Sequence, residues 1–384
     1  MPKSFSDNFA QARANPMYRY LMVLTIASMM GLQTWRTLFN NFAVDMAFLE
    51  GNHIGIIQSV REIPGFLALL AIFVIRFVKE HRLSAISIIT LGLGVGLTGY
   101  FPSFTGLAAT TLVMSFGFHY YETTNQSLTL QYFDLNTSPW VFGKMRSIGS
   151  AANIIVGIVI LGLTGILNYQ QIFLLFGAVI SGIGLWSLSQ KPDDEKLPAQ
   201  HKKMIFRRKY WLYYFLTFMS GARRQIFVAF AVFLLVKKFD YSVQAVTALF
   251  LLNNLINYFL SPLIGKAVIR FGERKVLSLE YGSLILIFTA YALIESALIA
   301  GVLYILDHIF FNFSIAIRTY FQKIGKAEHT APTMAVGFTI NHIAAVFIPA
   351  AGGILWMIDY KIVFIGAAFM SMISLLLVQF IRTK

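Results

Sequence analysis

Cysteine is absent from the 384 residues, which excludes a disulfide framework, a thiolate metal site and a thiol nucleophile. Charge is scarce: Asp, Glu, Lys and Arg make up 12% of the chain, against ~25% in a soluble globular domain. Acids are the scarcer sign, 17 against 31 Lys and Arg. Neither an appended soluble domain nor a cluster of nucleophiles or metal ligands near a membrane interface is visible, so an enzyme is not expected. What the chain has in abundance is apolar: 57% hydrophobic residues and a mean hydropathy of +0.68. Such a composition describes a polytopic membrane protein. The first apolar run follows a polar segment through Arg19 and is too long for a signal core, so no cleavable signal is expected.

Runs of the ~20 residues needed to cross the hydrocarbon fall at 20–46, 53–75, 84–101, 103–131, 147–167, 169–189, 211–236, 243–264, 276–294, 298–321, 334–356 and 361–381. These predict twelve transmembrane helices. Of the 31 basic residues, 23 fall on one side of the spans, 3 (Lys237, Lys238, Lys361) on the other and 5 inside them. The positive-inside bias therefore predicts both termini in the cytoplasm, and it explains the net charge of +14 as topology rather than nucleic-acid binding. The longest loop carries Lys191, Asp193, Asp194, Glu195 and Lys196, then Lys202, Lys203 and Arg207 to Lys209. It reads as a solvated cytoplasmic linker, 191–209, between six-helix bundles at 1–190 and 210–384. The halves echo one another: Tyr132, Phe133, Gly149 and Asn153 recur as Tyr320, Phe321, Gly337 and Asn341 at a constant offset of 188. Arg76-Phe77 with Leu83 likewise matches Arg270-Phe271 with Leu277, as expected of a parallel internal repeat.

Between spans 8 and 9 stand Gly265, Arg270, Gly272, Arg274 and Lys275, with Ile269 where an acid would be expected. The segment resembles the cytoplasmic loop signature of the major facilitator superfamily, in a bacterial-type chain whose subfamily is unassigned; Arg76 to Leu83 is a more degenerate copy. Twelve spans, the repeat, the central loop and the cytoplasmic ends extend the resemblance over the whole chain. It implies an all-α integral membrane fold of two six-helix bundles, with spans 1, 4, 7 and 10 lining a central cavity and spans 3, 6, 9 and 12 facing lipid. It also implies a gating role for the loop residues Gly265, Arg270, Gly272, Arg274, Lys275 and Arg76. The ionisable residues follow that partition, with Glu280 of span 9 and Arg318 of span 10 placed near cytoplasmic ends, where each is expected to reach water. Pro349 to Gly353 resembles the end of an antiporter signature, but in span 11 it reads as a close-packing motif.

Span 7 carries Arg223 and Arg224 at its centre. An arginine at mid-bilayer costs ~2.5–3.5 kcal/mol on insertion scales, so such a group normally marks a pathway. Tyr213, Thr217, Ser220 and Arg224 share one face, whereas Arg223 lies about 100° away. Arg224 is therefore assigned to substrate and Arg223 to a structural ion pair with a neighbouring acid. Span 1 presents Gln33, Arg36 and Asn40; span 2, Gln58 and Glu62 beside Arg61; span 4, His119 and Glu122; span 8, Asn254, Asn257 and Ser261; span 10, Tyr304, Asp307 and His308. From these, Arg36, Arg224, Gln33, Asn40, His119, Tyr304, His308 and Asn254 are the expected substrate contacts. Glu122, Asp307 and Glu62 are the expected proton-coupling acids, and Arg61 and Arg223 the structural pairs. His342 beside Asn341 reads as a packed polar pair. No ligand spacing supports a metal, and no cofactor is expected. Guanidinium suits a bidentate grip on carboxylate or phosphate, which points to a small or medium organic anion moved by a monomeric secondary transporter of the cytoplasmic (inner) membrane. An exporter of amphipathic compounds is the alternative, followed by a membrane protein that does not transport.

Overall fold

The computed structural model describes residues 5–49, 51–192, 197–198, 200, 203–241 and 243–382. Lys3, Lys384 and the linker residues Asp193, Asp194, Glu195, Lys196 and Lys202 lie outside them. The described residues form α-helices only, with no strand: α1 Phe5–Ala14, α2 Pro16–Asp45, α3 Gly51–Phe66, α4 Ala71–Ile75, α5 Glu80–Thr98, α6 Phe104–Tyr132, α7 Ser138–Leu163, α8 Tyr169–Leu188, α9 Trp211–Gln225, α10 Val232–Lys237, α11 Val243–Phe271, α12 Glu273–Leu293, α13 Ala297–Phe311, α14 Ile315–Ile324, α15 Thr330–Ile358 and α16 Tyr360–Val378.

These helices account for the twelve expected spans, three of which are interrupted. Span 2 passes from α3 through a tight 3-10 turn, Leu67–Leu70, into α4. Pro64 near the end of α3 lacks a backbone donor, and the Leu69 N–H beyond it donates instead to Thr339 Oγ1 at 2.9 Å. Span 7 joins α9 to α10 through a π-helical turn, Ile226–Ala231. Span 10 joins α13 to α14 through a 3-10 turn, Asn312–Ser314. The short helix α1 was not expected from the polar segment that forms it.

Ten of the spans are long and apolar enough to cross a bilayer. The exceptions are α2 and α6, whose 30 and 29 residues are ample in length. They carry too many polar groups, among them Arg36 in α2 and His119, Glu122, Asn125 and Gln126 in α6. These are spans 1 and 4, which the family resemblance assigns to a substrate path. Elsewhere the outward faces are what lipid requires: Leu161, Leu286, Leu298 and Ile354 are each at least 68% exposed.

The chain divides into two compact units. The first comprises Met1–Phe133, Ile148–Ile205 and Ala327–Thr339, the second Asp134–Ser147, Phe206–Lys326 and Ile340–Lys384. In the first, α5 packs against α6 and α8 at glycine distance. A Cβ on Gly94 would stand 2.3 Å from the Met114 nitrogen, one on Gly117 2.3 Å from that of Leu91, and one on Gly177 2.4 Å from the Gly96 Cα. Small residues let backbones approach where lipid supplies no hydrophobic drive between helices. Buried hydroxyls then tie the helices: Thr25 Oγ1 lies 2.8 Å from the Tyr121 hydroxyl, and Ser84 Oγ donates to Thr124 Oγ1 at 2.7 Å.

In the second unit α12 packs along α16, with Tyr291 stacked on Phe364 at 5.0 Å. Gly221 of α9 meets the Asn341 carbonyl, to which a Cβ would come within 2.4 Å, and Asn341 Nδ2 donates to the Thr217 carbonyl at 3.2 Å. That contact fixes α9 just before its two arginines.

Candidate functional site

Within the second unit the adjacent arginines of α9 have separate environments. Arg223 is 1% exposed; its guanidinium lies over the Tyr281 ring at 4.2 Å, with a terminal nitrogen 3.6 Å from a Glu280 oxygen. Arg224, one step of about 100° around the helix, is only half-buried. Glu280 departs from the expectation that it would reach water near the cytoplasmic end of its span: it is 0% exposed. Distance from the helix end suggested access, but α12 is packed by α11, α13, α14 and α16, and its face bearing Glu280 and Tyr281 is enclosed. Asp307 of α13, 2% exposed, lies within electrostatic reach of both Arg223 and Glu280.

The remaining groups of spans 8 and 10 form a neutral polar ladder. Asn312 Nδ2 donates to Asn257 Oδ1, leaving Asn257 Nδ2 to donate to His308 Nε2 at 2.7 Å; the ring proton of His308 then belongs on Nδ1. Tyr304 is buried and stacks on Phe227 at 5.0 Å and 25°. The enclosed stripe of α11 runs through Asn253, Asn257 and Ser261, at 3%, 4% and 0% exposure. Asn254 lies off that stripe, half-buried, and donates to the Phe250 carbonyl of its own helix. Arg318, expected to reach water, is half-buried and lies over the Phe142 ring at 5.5 Å. His342 is buried, as a packed polar residue should be.

In the first unit Arg61 and Glu62 pair with each other at 2.8 Å, and both keep a fifth of their side-chain surface exposed. The Arg61 guanidinium also lies over buried Trp35 at 5.4 Å. His119 is 5% exposed, its Nδ1 2.9 Å from both Ser115 Oγ and the Ser115 carbonyl, while Ser115 Oγ donates to the Arg61 carbonyl. A Glu62 oxygen and a His119 ring nitrogen lie within 4.8 Å, an arrangement able to share a proton or to ligate a cation. Gln33 donates to Thr37 at 3.1 Å along α2, Arg36 and Asn40 are exposed, and Glu122 is half-buried.

The two glycines of the segment before α12, Gly265 inside α11 and Gly272 between the helices, are held for separate reasons. A Cβ on Gly265 would stand 2.3 Å from the Pro139 carbonyl oxygen, and Gly272 has a φ of 80°, where a side chain is strained. Arg274 donates twice to Gln379, at 3.1 and 3.0 Å, while Arg270, Lys275 and Arg76 are exposed. The sequence reading noted the missing acid at Ile269 and passed over Glu273, which is 1% exposed and paired with Lys323 at 2.7 Å. Glu80 occupies the same first-turn place in α5, and its Oε2 accepts from Gln131 at 2.7 Å. The signal that could have found both is their recurrence, each the first residue of its helix and a few residues before the apolar runs of spans 3 and 9.

The profile of the Major Facilitator Superfamily matches residues 20–349. No curated protein gives a significant match. Solved structures similar in fold include the human organic anion transporter MFSD10 (TM-score 0.77, 11% identity, 95% of this chain and 99% of that one) and the E. coli fucose:proton symporter FucP (0.76, 10%, 96% and 98%). A bacterial homologue of the iron transporter ferroportin is comparable (0.76, 13%, 94% and 98%). At these identities the likeness speaks for the fold. The profile covers most of the chain and the helices follow the family's plan: this is a member of the major facilitator superfamily, a multi-pass membrane transporter and not an enzyme.

Proposed function

We propose that the chain is a secondary active transporter of a small or medium organic anion, working by alternating access and coupled to protons, in the cytoplasmic membrane with both termini inside. The observation that carries the reading is the division of labour in α9. Arg223 is sealed in the core against Glu280, while its neighbour Arg224 keeps partial access from a different face. In this reading Arg223 serves the enclosed acids and Arg224 meets the ligand. A guanidinium near mid-span offers a carboxylate or phosphate two parallel donors, in a setting where water competes little. The fold does not choose the substrate, since the similar structures include an organic anion transporter, a fucose symporter and an iron transporter homologue. The charge pattern supports an anion: Arg36 and Arg224 provide the positive groups of this reading, with Gln33, Asn40, His119, Tyr304, His308 and Asn254 as polar contacts and walls. Glu62, Glu122 and Asp307 are the proton-coupling acids of this reading, and the two halves, 1–190 and 210–384, are its moving parts.

The test has two stages. A thermal-shift screen of the purified protein against carboxylates and phosphate esters should find stabilising anions, because a bound ligand raises stability by mass action. Arg224→Gln, inserted and expressed at normal level, should then lose at least tenfold in affinity for the best of them. Unchanged affinity and transport would remove Arg224 from the substrate site.

A further inference from the structure

We propose that Arg223, Glu280 and Asp307 form a single proton-binding site inside the second unit, with Glu280 as a member that the sequence had placed in water. The inference deepens the proton coupling proposed above and rests on that reading only for its role in transport, not for the existence of the site.

Two carboxylates and one guanidinium are buried within electrostatic reach of one another: Arg223 is 1% exposed, Glu280 0% and Asp307 2%, with only Arg223 and Glu280 in ion-pair range. One arginine can neutralise one carboxylate. The second has no cation left, and an isolated carboxylate in such a place is far more costly than its neutral acid. The groups packed around the cluster offer no substitute. On α12 itself are Tyr281 and Tyr291, on α13 Tyr304 and His308, and on α11 the neutral Asn253 and Asn257. Arg318 of α14 lies over Phe142 and Arg146 of α7 over Phe311, Arg224 of α9 stands on a different face of its helix from Arg223, and α16 between Ile362 and Val378 contains no titratable residue.

Hydrogen bonding does not satisfy the site either. Both Glu280 oxygens, Asp307 Oδ2, all three Arg223 nitrogens and the hydroxyls of Tyr281 and Tyr291 are enclosed without a hydrogen-bond partner among the described residues. The Arg223–Glu280 separation of 3.6 Å is that of a charge pair with no hydrogen bond between the two. A site so under-bonded has room for one proton and for a change of which acid carries it. The proton sits on one carboxyl while Arg223 serves the other. No bond other than O–H is made or broken.

Infrared difference spectroscopy of the full chain in lipid nanodiscs, in light and heavy water, reads the site directly through the C=O stretch of a protonated carboxyl. At neutral pH the wild type should show one such band that shifts on deuteration. Charge counting makes the variants diagnostic. Glu280→Gln and Asp307→Asn should each abolish the band, because the acid that remains pairs with Arg223. Arg223→Gln should double it, and Glu295→Gln, at an exposed position, should leave it unchanged. A wild-type spectrum without the band overturns the site, even if no variant folds, and so does a band undiminished in either acid variant. If the band behaves as expected while Arg224→Gln transports normally, the anion reading fails and the proton site stands. If the band is absent while transport still depends on Arg224, the reverse holds.

Discussion

Two arginine–glutamate pairs, one in each unit, show how differently the same chemistry is used. Arg61 and Glu62 are neighbours in sequence, bonded at 2.8 Å, and share their charge with solvent at 21% and 23% side-chain exposure. Arg223 and Glu280 come from different helices, stand 3.6 Å apart and are 1% and 0% exposed. The shorter pair is the weaker support, because water screens it and would solvate either partner left alone. The longer pair is nearly indispensable: removing one partner leaves the other in a medium that cannot accept it.

That contrast predicts a series ordered by burial and not by distance. Arg223→Met should destabilise the protein by ~3–5 kcal/mol in a reversible denaturation assay, and Arg223→Met with Glu280→Met should recover most of the loss. If the double variant is no more stable than the single, the buried pair is not the cause. Lys323→Met, which strands buried Glu273 but leaves it near the membrane face, should cost ~1–3 kcal/mol. Arg61→Met should cost less than ~1 kcal/mol; a loss matching that of Arg223→Met would erase the distinction.

The smallest effect belongs to Lys238, at the end of α10, which contacts Glu295 at 2.9 Å and the Tyr360 hydroxyl at 2.6 Å. Burial works against its ammonium, but the hydrogen bonds it donates to Tyr360 and Glu295 outweigh that and raise its proton affinity above the ordinary 10.5. A raised lysine stabilises the fold below its unfolded value and loses that contribution as pH rises through the folded one. The small difference in melting temperature between wild type and Lys238→Met should thus hold through neutral pH and shrink only above pH 10.5. A difference that instead grows with alkalinity would contradict this sign.

The helices were legible in the sequence because a bilayer imposes a length and a polarity that few residues can evade, and the interior glycines and basic loops marked where each ends. The neutralisation of Arg223 by an acid on a neighbouring helix was legible too, since a guanidinium in hydrocarbon needs a counter-charge. Which acid would answer was not. Glu280 looked accessible when measured along its own helix, and only the packing of α12 shows that it is enclosed. The same limit hid Glu273, whose partner is fifty residues away, and moved the enclosed stripe of α11 from Asn254 to Asn253. Helical periodicity sorts faces, but it does not say what stands opposite them. The break in span 7 left no trace in composition, because Ile226–Ala231 is wholly apolar, whereas that in span 10 falls on the polar Asn312 and Ser314.

That widened turn in span 7 gives the segment mechanical slack. A π turn holds more than the usual 3.6 residues, and taking the surplus back into ordinary α-helix swivels one side of the rod against the other by about 100°. This is the angle between Arg223 and Arg224. Phe227 and Phe230 lie within that turn and stack on Tyr304 and Trp356, so the slack in the span is clamped at its own level.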